Sequence, residues 1–285
     1  MNLWYPSHMA RARREFRQNL RLVDVVIEIL DARIPLASRI PDLPGLLGAK
    51  KSLLALNKSD LADPDLTIQW VKHFRRLGSV AVAINAKTGA GVYELLIAAK
   101  DVSARTTGSK KRLRPFRAMA VGIPNAGKSS LLNRLAGRRS ARVGERPGIT
   151  RGRQWIRAHD DLELLDLPGM LWPQRESEGR FVLLCITGAV PDEVFDQPSV
   201  AAKLVETLAA EKPGALAERY GITMFSHPGE ALEIIARQRG YLGAGGVPDL
   251  VKGALAVLSD FRAGRFGRIT LESTGDISES GVRKR

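Results

Sequence analysis

The stretch GIPNAGKSS, Gly122–Ser130, decides the fold. It matches G-x-x-x-x-G-K-[ST], with Gly122, Gly127, Lys128 and Ser129 in the fixed places. The apolar run MAV (119–121) precedes it, and KSSLLNRLAG (128–137) follows with helical spacing. Strand, glycine turn and helix together form the setting in which backbone amides and a helix N-terminus cradle phosphate. Asn125, Ala126, Gly127, Lys128, Ser129 and Ser130 are therefore assigned to the phosphates. Lys128 is expected to neutralise β- and γ-oxygens and Ser129 to ligate Mg²⁺. A chance glycine turn is the bland alternative, and the two correct flanks weigh against it.

A second phrase, NKSD (Asn57–Asp60), ends the apolar stretch KSLLALN 65 residues earlier. Four residues alone say little, but beside a phosphate loop their chemistry becomes specific. Asp60 can accept two hydrogen bonds from the ring N–H and exocyclic amine of guanine. Adenine offers no such donor pair and would leave the carboxylate unpaired, a mismatch that can reject the wrong ligand by about 10⁴-fold. Asn57 is expected to brace neighbouring loops, and the aliphatic stem of Lys58 to cover the base; Ser59 lies between. NAKTG (Asn85–Gly89) then offers the Ala86 amide to the guanine oxygen, with Lys87 beside it. An ordinary polar strand-end loop is the competing reading for both phrases.

LELLDLPG (162–169) places Asp166 at a strand end, positioned to hold Mg²⁺ through water. Gly169, three residues on, can sense a γ-phosphate. RPGIT (146–150) lies between phosphate loop and Asp166, where a metal-ligating switch threonine belongs, so Thr150 is assigned there. Plain turn chemistry would be the alternative. Read from Gly122 forward and wrapped back to the N-terminus, the order is phosphate loop, switch threonine, Asp-x-x-Gly, NKSD, NAKTG. That is the usual order of a GTPase domain, cut after the third motif and rejoined elsewhere. A parallel sheet tolerates such a permutation when the old termini can be linked. SARTTGSKKRLRP (103–115) is read as that linker.

The 285 residues are 44% hydrophobic and 26% charged, enough for a large domain or two ordinary ones. No apolar run approaches the ~18 residues of a membrane span. The first residues lack the apolar core of a secretory signal. Cys185, the only cysteine, sits in RFVLLCITGA as a small core residue; a cytoplasmic setting is expected. Net charge is +14, which points to a polyanionic partner. Residues 1–175 carry 31 Lys/Arg against 15 Asp/Glu, and the remainder 13 against 15, so the basic footprint lies in the first part.

Strand and helix patterns alternate through that part, from VDVVIEIL (23–30) onward, which predicts a mainly parallel, six-stranded α/β sheet. From about Arg180 only helical spacing and glycine stops occur. The expected division is therefore 1–175, permuted P-loop domain with a basic N-terminal helix; 176–275, small all-helical domain; and 276–285, disordered tail.

The joint order of WYPSHMARARRE, DARIP, NKSD, PNAGKSS, RPGIT, LLDLPGMLWP, TGAV and DFRAGRFGRITLE resembles the circularly permuted GTPases. The match is specifically to the bacterial ribosome biogenesis GTPase A family and its mitochondrial relatives. The resemblance covers about residues 4–275. It implies GTP hydrolysis coupled to late assembly of the large ribosomal subunit, contact with its rRNA, a helical RNA-binding domain, and a monomer cycling between GTP and GDP. Met170 stands where many GTPases carry a water-orienting glutamine, and a thioether cannot orient water. The resemblance points to His8 as the replacement, and to K⁺ beside the phosphates with Asn125 as ligand. The family usually has glycine before that histidine; here it is Ser7. Slow basal turnover, stimulated by ribosomes and potassium, is the expectation.

Two other classes compete: an RNA-binding scaffold that uses nucleotide only for stability, and a metabolic kinase on the same loop. Stimulated phosphate release separates the first from a switch. NKSD weighs against the second, since guanine nucleotides are poor bulk phosphoryl donors.

Overall fold

The computed structural model describes residues 14, 16–41, 43–107, 115–136, 142–143, 154–159, 162–166 and 178–276. The chain divides into two compact units, Met1–Gln174 with Glu272–Arg285, and Arg175–Leu271.

In the first unit a short helix (α1, residues 16–20) precedes β1 (Val25–Asp31), all seven residues of which are buried. Then come α2 (Leu43–Leu47), β2 (Lys51–Asn57), α3 (Pro64–Arg76), β3 (Val80–Ala83), α4 (Val92–Thr107), β4 (Phe116–Val121) and α5 (Lys128–Ala136). A two-residue β5 (Arg142–Val143), β6 (Gln154–His159) and β7 (Leu162–Asp166) complete the sheet. Its order is β3-β2-β1-β4-β7-β6-β5. The first five are parallel, β6 runs antiparallel to β7, and β5 antiparallel to β6. The six anticipated strands are present, and β5 adds a seventh too short to show as a hydrophobic pattern.

The sheet explains how the permutation works. The strands before the linker and those after it meet at the β1–β4 seam, in parallel register from Val25↔Ala118 to Glu28↔Val121. The phosphate-loop strand thus lies between β1 and the Asp166 strand, and every motif-bearing parallel strand ends on the same edge. That edge of an open α/β sheet is where ligands bind. The linker is shorter than composition implied: α4 runs on to Thr107 because Val102 and Ser103 are buried.

Helix α3 shows how local sequence sets an element. Asp63 caps it by accepting from the Leu66 amide at 2.8 Å, and Pro64 occupies the first turn, where its missing N–H costs nothing. Thr67, Trp70 and Phe74, spaced three and four apart, are the buried face. Trp70 and Phe74 pack with Leu30, Leu54, Leu56 and Ala81. Another core cluster joins Phe16 and Leu20 of α1 to Met119, Val121 and Leu165.

The second unit is helical: α6 (Glu178–Ile186), α7 (Gln197–Glu211), α8 (Gly214–Tyr220), α9 (Pro228–Gln238) and α10 (Leu250–Arg262). Asp196, His227 and Asp249 accept from amides in the first turns of α7, α9 and α10. Cys185 is fully buried. The polar end ESTGDISESGVRKR starts at Glu272, ahead of the expected 276–285 tail, and its first residues are held. Glu272 accepts from the Leu36 and Ala37 amides, and Thr274–Asp276 forms a 3₁₀ turn near α3. Residues 277–285 lie outside those described.

Candidate nucleotide site

Gly122 follows β4 directly, and a Cβ on it would lie 2.5 Å from the carbonyl oxygen of Ile29. Gly127 has φ of +101°, and a Cβ there would lie 2.1 Å from Nδ2 of Asn57. Gly122 is demanded by the close backbone approach, and Gly127 by its positive φ as well as by Asn57. Asn125 takes the left-handed conformation, φ 59°, between them. Lys128, the first residue of α5, is buried, and its ammonium donates to the carbonyls of Gly122 (3.1 Å) and Ile123 (3.0 Å). A cation is thus held within a loop that also ends in a helix N-terminus, an arrangement suited to phosphate. Ser129 is exposed and Ser130 half-buried on the same turn.

Asn57 joins the loops. Its Nδ2 donates to the Ala126 carbonyl of the phosphate loop at 2.7 Å, and its Oδ1 accepts from the Ala86 amide at 2.9 Å. One buried side chain therefore fixes NKSD, NAKTG and the phosphate loop together. The Ala86 amide, assigned from sequence to the guanine oxygen, is here committed to Asn57. Asn85 closes its own loop, with Oδ1 accepting from the amides of Lys87 (2.9 Å) and Thr88 (3.1 Å). The Ser59 amide donates to the Ile84 carbonyl at 3.2 Å, and Asp60 is exposed at the rim.

Two participants escaped the sequence reading. Arg134 of α5 reaches across to the Ala86 carbonyl at 3.4 Å. Asp31, at the end of β1, receives Arg33 and, at 2.8 Å, the ammonium of Lys58. Burial alone would raise the Asp31 carboxyl; the charges of Arg33 and Lys58 and their hydrogen bonds instead hold it well below the usual carboxylate range. Burial lowers the Lys58 ammonium, with Asp31 opposing. The DARIP phrase held the signal, but nothing in it names a partner 27 residues away.

Asp166 ends β7, whose neighbour β4 leads into the phosphate loop, with Met119 paired to Leu165. The serine hydroxyl and carboxylate assigned from sequence are hard oxygen donors of the kind Mg²⁺ takes, usually one or two from protein with waters and phosphate completing the shell. His8, Thr150, Gly169 and Met170 lie outside the described residues.

The arginines of the chain differ in how far they are committed. Arg14, Arg17 and Arg21 are exposed. Arg117 is paired with Glu163 at 2.8 Å and lies 4.8 Å from the Trp155 ring centroid. Arg262 is tied to Asp192 at 2.7 Å and to the Ile186 and Cys185 carbonyls. Its role is to join α6 and α10. The helical unit has a different basic group: Arg219, Arg239 and Arg265 converge on Asp260, with Tyr220. A net count of −2 over the region concealed it. No helix among the described residues is long and apolar enough to cross a membrane.

A family model described as 50S ribosome-binding GTPase matches residues 117–189. The chain is 39% identical to ribosome biogenesis GTPase A of Bacillus cereus, over 97% of this chain and 95% of that protein. It is 32% identical to mitochondrial ribosome-associated GTPase 1 of Bos taurus, over 94% and 88%. The crystal structure of GNP-bound YlqF from T. maritima superposes with a TM-score of 0.67 at 28% identity, covering 92% of this chain and 98% of that one.

Proposed function

Because the chain belongs to the ribosome biogenesis GTPase A family, we propose that it is a GTPase of ribosome assembly, acting on the large subunit and gripping its rRNA in a nucleotide-dependent way. The observation that supports this best is Asn57, which ties a phosphate loop to two base-reading loops through Ala126 and Ala86. A phosphate site alone would fit many nucleotides; coupling it to an exposed Asp60 on the same edge favours guanine.

In this reading the phosphate-loop amides and Lys128 hold the phosphates, Asp60 reads the base, and Ser129 with Asp166 would hold Mg²⁺, joined by Thr150. Bound Mg²⁺ supplies charge neutralisation at the β- and γ-oxygens. Gly169 senses the γ-phosphate. His8 orients the attacking water, since a histidine can do so near neutral pH where Met170 cannot. Asn125 would help to hold K⁺, which would supply further positive charge beside the phosphates. The protein works as a cytoplasmic monomer.

The deciding experiment is GTP turnover by the full chain, with and without large subunits, in potassium and in sodium. Slow basal release, raised by subunits and by potassium, is expected. Flat turnover in all four conditions would instead favour an RNA-binding scaffold.

A further inference from the structure

The DARIP phrase has so far no function of its own. Asp31 is in parallel register with Asn57, and the Ala32 amide donates to the Asn57 carbonyl at 2.8 Å. The loop beginning at Asp31 therefore lies against the base-reading loop. The carboxylate is almost fully enclosed and receives four donors: the Arg33 amide (3.1 Å), Arg33 Nε (2.9 Å), Arg33 Nη2 (2.8 Å) and Lys58 Nζ (2.8 Å). Arg33 is as enclosed as Asp31, with 1% of its side chain exposed, whereas Lys58 retains 22%.

We propose that Asp31 is a positioning residue for nucleotide: it anchors the Lys58 ammonium so that the lysine stem is already laid out for the base. This rests on reading NKSD as the base site. Stoichiometry gives the direction of the effect. Arg33 by itself neutralises Asp31 with a forked contact, so Lys58 is not needed to keep the carboxylate charged. The second cation is the one being oriented. Lys58 also needs holding, since it has φ of 60°, a conformation that is costly for a non-glycine residue. A free lysine carries rotamer entropy of about 2 kcal/mol, which ligand binding would otherwise have to overcome. Anchoring transfers that cost to folding.

The test is a titration of GDP and inosine diphosphate into the full chain. Lys58→Met keeps a straight stem, removes the ammonium and leaves the Asp31–Arg33 pair whole. It is expected to weaken both nucleotides about tenfold, the effect of losing most of that preorganisation. Their ratio should stay unchanged, because the stem reads no exocyclic group. Asp31→Asn should do the same, and the double variant should be no weaker than either single, as expected of one shared interaction. Wild-type affinity in Lys58→Met overturns the proposal, as does additivity in the double variant; a merely structural Asp31 would give additivity. Lys58→Met decides alone if Asp31→Asn does not fold. Asp60→Asn is run alongside. If it leaves GDP affinity untouched, the base site itself is misread and the proposal falls with it. If it acts while Lys58→Met does not, only the role of Asp31 falls.

Discussion

The indole Nε1 of Trp70 donates to the main-chain oxygen of Glu272, 202 residues further along the chain, at 2.9 Å. Glu272 also spreads its carboxylate over the Leu36 and Ala37 amides, at 2.8 Å and 3.1 Å from Oε2. The residue that leaves the helical unit is thus fastened to the loop that starts at Asp31. This is a charge-assisted brace from a buried side chain, and its strength comes from enclosure.

Glu272→Ala is accordingly expected to destabilise the first unit. Hydrogen bonds to a charged group contribute about 1.5–3 kcal/mol, and here two amides lose their acceptor. The hydrogen-bond part of Trp70→Phe is about 1 kcal/mol, below that of Glu272→Ala, and the smaller ring adds a cavity cost because Trp70 is fully buried. Denaturant midpoints of both variants check the order; a larger loss in Trp70→Phe would mean that ring packing dominates.

Asn57 and Asp60 belong to one motif but are predicted to fail differently. Asn57→Ala strands the Ala126 carbonyl and the Ala86 amide, at about 1–3 kcal/mol for each buried group left unpaired, so it should lower both melting temperature and GTP affinity. Asp60 is exposed, so Asp60→Asn should leave melting nearly unchanged. It should weaken GTP and favour xanthosine triphosphate, whose extra carbonyl suits an amide donor. Melting curves paired with nucleotide titrations distinguish the two.

What was legible in the sequence follows a physical rule. The phosphate loop could be read because close approach and backbone conformation dictate its residue types: the Ile29 carbonyl lies where a Cβ of Gly122 would go, and the Asn57 side-chain amide where one of Gly127 would. Strand alternation and the helical turn of composition near Arg180 were readable for the same reason, each being a local consequence of burial. Asp31 and Glu272 were not, because their partners Lys58 and Trp70 are brought near only by sheet register and by the return of the chain. The bond between the Ala86 amide and Asn57 was hidden for a related reason: the two residues are 29 apart in the chain.

Acid should loosen the helical unit through Asp260. Burial pushes its carboxyl up, but hydrogen bonds from Arg219, Tyr220 and Arg265 outweigh that and hold it below its ordinary value of 3.8. The unfolded chain therefore takes up the proton first as pH drops, and protonation favours unfolding. The stabilisation is present in full above about pH 4 and is lost as pH falls through the lowered folded value. Asp260→Asn should be less stable at pH 7 and show a flatter acid dependence. Hydrogen exchange in α8 and α10 between pH 7 and pH 3 measures it; equal slopes in variant and wild type would assign the acid sensitivity to other groups.

The last prediction concerns where RNA is gripped. Residues 1–175 hold the charge surplus, and the helical region is net −2. Arg262, bound to Asp192 and two carbonyls, is committed within the helical unit. Arg219, Arg239 and Arg265 share the single charge of Asp260, with side chains 30%, 30% and 52% exposed. Three cations on one buried carboxylate leave a local surplus that phosphate can use, and Arg219 and Arg239 lie 5.6 Å and 5.5 Å from the Tyr220 ring centroid, which fixes their direction. Each phosphate neutralised adds roughly 0.7–0.9 to the salt slope of binding. Glutamine at Arg219 and Arg239 together should therefore flatten the slope by no more than about two. Neutralising Arg105, Lys110, Lys111, Arg112 and Arg114 should flatten it by several units; Arg117 is left out because Glu163 already holds it. Large-subunit binding across a salt series compares the two variants. The reverse order would place the main electrostatic grip on the Asp260 cluster and show that three well-held arginines outweigh the larger basic surplus of the permuted domain.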